Sequence, residues 1–94
     1  MQTFFMFGNY TSESLKLLSA KRTDLVKKEI EKLKGEVCSM HALLGQYDLL
    51  FNVKFPGIEE ALKASVKIAR MTGISFVTYP AIEVKIFDDL TKKI

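Results

Sequence analysis

One cysteine, no tryptophan, two prolines and five glycines leave this chain little of the chemistry that marks a site by sequence. With Cys38 the only thiol, no disulfide forms within the chain and no cysteine-based zinc site can be assembled from one copy. His41 is the only histidine, and on an extended segment its odd spacing from Cys38 points the two to opposite faces, so no metal is expected. No glycine precedes Lys-Ser or Lys-Thr, which removes a phosphate loop, and no Gly-x-Ser-x-Gly elbow exists for serine hydrolysis. An excess of one charge is missing too: 14 Lys and Arg stand against 11 Asp and Glu, a net +3. The basic pairs Lys21-Arg22 and Lys27-Lys28 are interleaved with Asp24, Glu29 and Glu31, a solvated helix face that argues against a nucleic-acid partner. Long hydrophobic runs are absent. Phe4-Phe5-Met6-Phe7 has no basic residue before it and stops at Gly8, too short for a signal-peptide core or a membrane span. A cytoplasmic protein in a reducing compartment, with no membrane partner, is the expectation.

What the chain does hold is a globular composition: 94 residues, 48% hydrophobic and 27% charged, with 7 Phe and 3 Tyr. At this length folding hides roughly 60 to 65% of the surface the unfolded chain exposes, enough for one modest core. No linker, repeat or low-complexity tract divides it, so residues 1–94 are read as a single domain.

Thr3 to Phe7 reads as a strand covered on both faces. Gly8-Asn9 ends it, and Thr11 or Ser12 offers a side-chain oxygen to cap a helix. Leu15, Leu18, Leu25, Val26, Ile30 and Leu33 at helical spacing predict a helix to about Lys34, jointed near Ser19-Ala20, with Gly35 as its C-terminal cap. Glu36 to Leu44 and Asp48 to Phe55 read as a hairpin across Gly45-Gln46-Tyr47. Within it Gly45 would take a positive φ, and the Asp48 carboxylate would accept N–H groups of the loop. Ile58, Ala61, Leu62, Ser65, Val66 and Ala69 form one face of a second helix that ends at Thr72-Gly73. Ile74 to Phe87 is read as extended, with Pro80 marking an edge or a bulge. Strand, helix, strand, strand, helix, strand, joined by right-handed crossovers, is an α+β ferredoxin-like β-α-β-β-α-β plait, a four-stranded antiparallel sheet with two helices on one face.

The other sheet face carries the functional question. Pairing Leu44 with Leu49 puts Cys38, Met40, Ala42 and Leu44 with Leu49, Phe51, Val53 and Phe55 toward the helices. Val37, Ser39, His41 and Leu43 then share the open face with Leu50, Asn52 and Lys54, and His41 lies directly across from Asn52. A slip by two residues keeps these faces, whereas a slip by one buries Lys54. The first strand adds Phe4 and Met6 or Phe5 and Phe7 to that face, an apolar patch larger than monomers usually leave bare. A second copy packed sheet to sheet, in a two-fold dimer, is the expected cover.

Gly45-Gln46-Tyr47-Asp48 followed by an apolar strand resembles the signature of the GYD family, small bacterial and archaeal proteins. The likeness extends to Tyr10-Thr11, Arg22, Gly35, Gly73 and the extended end around Ala81. It departs at Ser14, where that family usually has glycine after the acidic residue, here Glu13, and at Tyr79-Pro80. The turn and its flanking strands are also similar to the effector domain of leucine-responsive transcription regulators, which dimerise and bind amino acids. The resemblance implies a dimeric α/β-barrel arrangement of ferredoxin-like domains.

Three functional readings follow, in order of preference. The first is a non-catalytic, stand-alone small-molecule-binding or oligomerisation module, with its site between the sheet faces of a homodimer or higher even-numbered oligomer. Ser39, His41, Asn52 and Lys54 would line that gap, with Tyr47 and Asp48 at a subunit boundary, and no cofactor is called for. The alternative is a cofactor-independent oxygenase or isomerase of the dimeric α+β barrel type, with His41 as general base, Asn52 orienting it, and Tyr10 or Tyr79 donating a hydrogen bond. RNA binding comes third, because the open face of the third strand offers Leu50, Asn52 and Lys54 where stacking aromatics are needed.

Overall fold

Burial alternates along the first strand: Phe4, Met6 and Gly8 are buried, while Thr3, Phe5 and Phe7 are half-buried. In the computed structural model, which describes residues 1–94, that alternation reflects one face covered by helices and one left open. The elements are β1 (Gln2–Asn9), α1 (Ser12–Lys16), α2 (Ala20–Lys32), β2 (Glu36–Ala42), β3 (Leu49–Phe55), α3 (Ile58–Thr72), β4 (Ser75–Ala81) and α4 (Val84–Thr91). The strands form one antiparallel sheet in the order β2-β3-β1-β4, the order of a ferredoxin-like plait. The core lies between this sheet and two helices. Phe4, Met6, Phe51, Val53 and Phe55 pack against Val26 and Ile30 of α2 and Ala61, Ala64 and Ile68 of α3. The two alanines let α3 approach the sheet closely, and the Phe4 and Phe55 rings meet edge to face at 6.0 Å.

Polar side chains punctuate the first helical segment. Thr11 caps α1 by accepting from the Ser14 N–H at 3.1 Å, and the Ser14 hydroxyl oxygen accepts from the Thr11 N–H at 2.7 Å, a reciprocal capping box. Ser14 is 1% exposed, so the serine that departs from the expected family pattern has a structural role of its own. The joint lies where the sequence suggests: the Ser19 side chain accepts from the Arg22 N–H at 3.0 Å and starts α2.

Two glycines act differently from expectation. The left-handed residue after α2 is Lys34, with φ 62°, and Gly35 is needed for space instead. A Cβ there would lie 2.5 Å from Phe55 Cε1 and 2.8 Å from Ile30 Cγ2. Gly45 has no positive φ; among the glycines only Gly73 does, at 74°, as the αL cap of α3.

The hairpin register also differs. Ala42, not Leu44, pairs with Leu49, a slip of two residues that keeps the faces. A bulge between Val37 and Ser39 then adds a slip of one. Val37 turns to the core, Cys38 is exposed, and Lys54 stays on the open face across from Glu36. His41 therefore stands opposite Leu50, and Ser39 takes the place opposite Asn52.

The C-terminal reading needs the largest correction. Extended structure stops at Ala81, and Val84–Thr91 is helical. Ile86, Phe87 and Leu90 share one side of α4 at helical spacing, a period overridden in the sequence reading by the β-branched residues around it. Pro80 lies within β4, an edge strand, where a missing N–H is tolerated. No residue of α4 is buried, and α4 makes no extensive contact with any other element. It stands off the domain, whose Cα radius of gyration of 14.3 Å exceeds the about 12 Å expected for this length.

Candidate functional site

The registers lay the open face out as rows running across the four strands. One row runs Glu36, Lys54, Thr3 and Ala81; the next Ser39, Asn52, Phe5 and Tyr79; the third His41, Leu50, Phe7 and Val77. Polar groups thus gather toward the β2 edge and aromatic groups toward β1 and β4. The face is open: Val77 and Tyr79 are 40% and 48% exposed.

Tyr47 reaches this face from the hairpin loop. Its ring packs on Phe7 with centroids 4.9 Å apart, and Tyr79 meets Phe7 edge to face at 5.9 Å. A hydrogen bond with the Tyr79 hydroxyl, and the unfavourable charge of a second phenolate beside it, raise the Tyr47 pKa above the ordinary 10.0, with a smaller contribution from burial. The pair is a weakly acidic, hydrogen-bonding rim on an aromatic floor.

At the centre of the sheet the Asn52 Oδ1 is buried and has no hydrogen-bond partner. An unpaired acceptor in such a place marks a position where a donor from a ligand or another chain is favoured. Ser39 stands opposite it on β2 and Phe5 opposite it on β1.

Six residues were singled out from the sequence. Ser39, Asn52 and Lys54 lie together on the open face; His41 shares it one row away, without Asn52 to orient it and with no carboxylate in its row. The placement of Asn52 across from His41, which the enzyme reading used to orient the base, is absent from the sheet register, while His41 and Tyr10 line one cavity on the α2 side. Tyr47 lies on the same face through Phe7, but the Asp48 carboxylate is engaged elsewhere. Its Oδ2 accepts from the Tyr10 N–H at 2.9 Å, while its own N–H donates to Gly8 O at 2.9 Å. The Gly-x-Tyr-Asp turn thus joins the hairpin to the exit of β1: the aspartate fixes backbone and the tyrosine covers the sheet. An all-apolar strand gives Met6 and Phe7 equal claim to the open face, and in the structure Met6 is buried and Phe7 lies on the open face.

These features define a ferredoxin-like α+β domain with an aromatic-rich open sheet face. The family model for the GYD domain matches residues 4–91, and the chain belongs to that family. No curated protein matches it. Among solved structures, it is similar to the Mycobacterium tuberculosis leucine response regulatory protein LrpA, at 12% identity and a TM-score of 0.58 over 87% of this chain. A mutant of Rv3291c aligns at 11% identity and a TM-score of 0.58, over 88% of this chain. The chain spans about half the length of these structures, 51% of each.

Proposed function

We propose that this protein is a homo-oligomeric, non-catalytic binding module whose small-molecule site lies between the open sheet faces of two copies, in a dimeric α/β-barrel arrangement. The observation that carries the reading is an apolar surface that the chain's own elements leave partly open. Phe5, Phe7, Leu50, Val77 and Tyr79 on the sheet are followed along the chain by α4, whose Phe87 and Leu90 remain 54% and 53% exposed. Apolar area of this extent is favoured to leave water, and a second copy offers the same surface in return. In this arrangement α4 packs on the partner's domain.

Asn52, Ser39, Lys54 and His41 supply the polar side of the gap, and Phe7, Tyr47 and Tyr79 the aromatic side. Such a mixture suits a small metabolite with an apolar body and one or two hydrogen-bonding groups. The similarity to a leucine response regulatory protein makes amino acids the first compounds to try. The test is thermal unfolding against a panel of amino acids and small metabolites: a specific ligand at a hundred times its dissociation constant adds about 2.7 kcal/mol of stability. Stabilisation that disappears in an Asn52→Leu variant supports the reading, and no shift across the panel contradicts it.

A further inference from the structure

A second cavity lies on the opposite, helix-covered side of the sheet, entirely within one protomer. Its volume is about 160 Å3, close to the roughly 150 Å3 of an engineered core cavity that takes benzene. Val26, Met40, Leu49, Phe51 and Ile74 are among its walls, and Leu18 is at 56% exposure the most open of its large apolar residues. Against these apolar walls the first turn of α2 contributes Ser19, Arg22 and Thr23.

Arg22 distinguishes this cavity from a packing defect. Its guanidinium is part-buried, donates from Nη1 to Ser14 O at 2.6 Å and stands 5.9 Å over the Tyr10 ring. A guanidinium carries five donors, and the bond to Ser14 is its only side-chain hydrogen bond. The two ion pairs in the molecule are Lys32 with Glu29 and Lys92 with Asp89, so Arg22 has no acidic partner. A part-buried cation without a counter-charge, at the positive end of a 13-residue helix, favours an anion. The adjoining walls are aliphatic and aromatic.

We infer that this cavity binds a small carboxylate with a short branched aliphatic body, its carboxylate on Arg22 and its hydrocarbon between α2 and the sheet. Of the residues assigned to the sheet-to-sheet gap only His41 also lines this cavity, and the cavity does not need a second copy.

Isovalerate, with isovaleramide as its neutral counterpart, tests the inference on the 94-residue chain by amide chemical-shift titration. The expected result is saturable movement of resonances in Ser19–Thr23, Met40 and Ala42, with a dissociation constant of about 1 mM or tighter and at least tenfold weaker binding of the amide. Arg22→Gln should weaken isovalerate binding at least tenfold. Because that change also removes the bond to Ser14, Leu18→Trp serves as an independent variant: it fills the mouth from an exposed position and should likewise weaken binding. The inference is overturned if isovalerate moves none of those resonances, if the amide binds equally well, or if both variants bind as the parent does. Movement confined to Phe5, Phe7, Asn52 and Tyr79 would overturn it too, while supporting the sheet-to-sheet site.

Discussion

The Asp48 carboxylate accepts a hydrogen bond from the Tyr10 backbone N–H at 2.9 Å, joining positions 38 residues apart. The contact is part-buried and charge-assisted, and it fixes the hairpin end against the exit of β1. Asp48→Ala leaves the Tyr10 N–H without this acceptor and should destabilise the domain by about 1–3 kcal/mol. For a domain of this size that lowers Tm by roughly 4–8 °C per kcal/mol. Asp89→Ala, which removes only an exposed pair with Lys92, should change stability by less than about 0.5 kcal/mol. Equal effects of the two substitutions in thermal melts would remove the structural role assigned to Asp48.

Glycine substitutions separate space from backbone conformation. Gly35→Ala drives a methyl group into Phe55 and Ile30 and should destabilise by about 1–3 kcal/mol. Gly45→Ala meets nothing within 4 Å and needs no positive φ, so it should be neutral or stabilising by up to about 1 kcal/mol. Urea unfolding of both variants gives the comparison, and the reverse order would refute it.

Tyr47 should titrate above a free tyrosine, because its hydrogen bond with the Tyr79 hydroxyl and the neighbouring charge favour the protonated form. A folded-state pKa above the unfolded value makes the contribution to stability complete below the unfolded pKa, about 10, and lost as pH rises through the folded one. Tyr79→Phe should move the Tyr47 titration down toward the ordinary value in phenolate absorbance measurements. An unchanged titration would show that the two rings do not interact.

Ending the chain after Glu83 removes a helix none of whose residues is buried in its own domain. The truncated protein should keep its circular dichroism and cooperative unfolding while its oligomer dissociates at higher concentration. Phe87→Glu should act in the same direction. Loss of folding in the truncated chain would mean that α4 supports its own domain.

The plait was legible in the sequence because its signals are local. The apolar run at Phe4–Phe7, the helical spacing through Ile30, the Gly73 cap and the Gly-x-Tyr-Asp turn each specify an element without help from elsewhere. What was not legible depends on pairing. The two-residue slip that places Ser39 rather than His41 opposite Asn52 leaves no compositional mark, and neither does the bulge at Cys38 that turns Val37 to the core. Helix α4 was missed for a different reason: Val84, Ile86 and Phe87 carry strand propensity, and the helical period of Ile86, Phe87 and Leu90 runs for barely two turns. The cavity beside Arg22 draws its walls from five segments of chain, so no sequence window contains it.

Native mass spectrometry of the purified protein at micromolar concentration tests the central claim most directly, since one spectrum reports the subunit number and any retained small molecule. An even-numbered oligomer is predicted, with any bound mass in a fixed ratio to the chains. A monomer would contradict the account, because the sheet face of Phe5, Phe7 and Tyr79 and the apolar side of α4 would then stand in water with nothing to cover them.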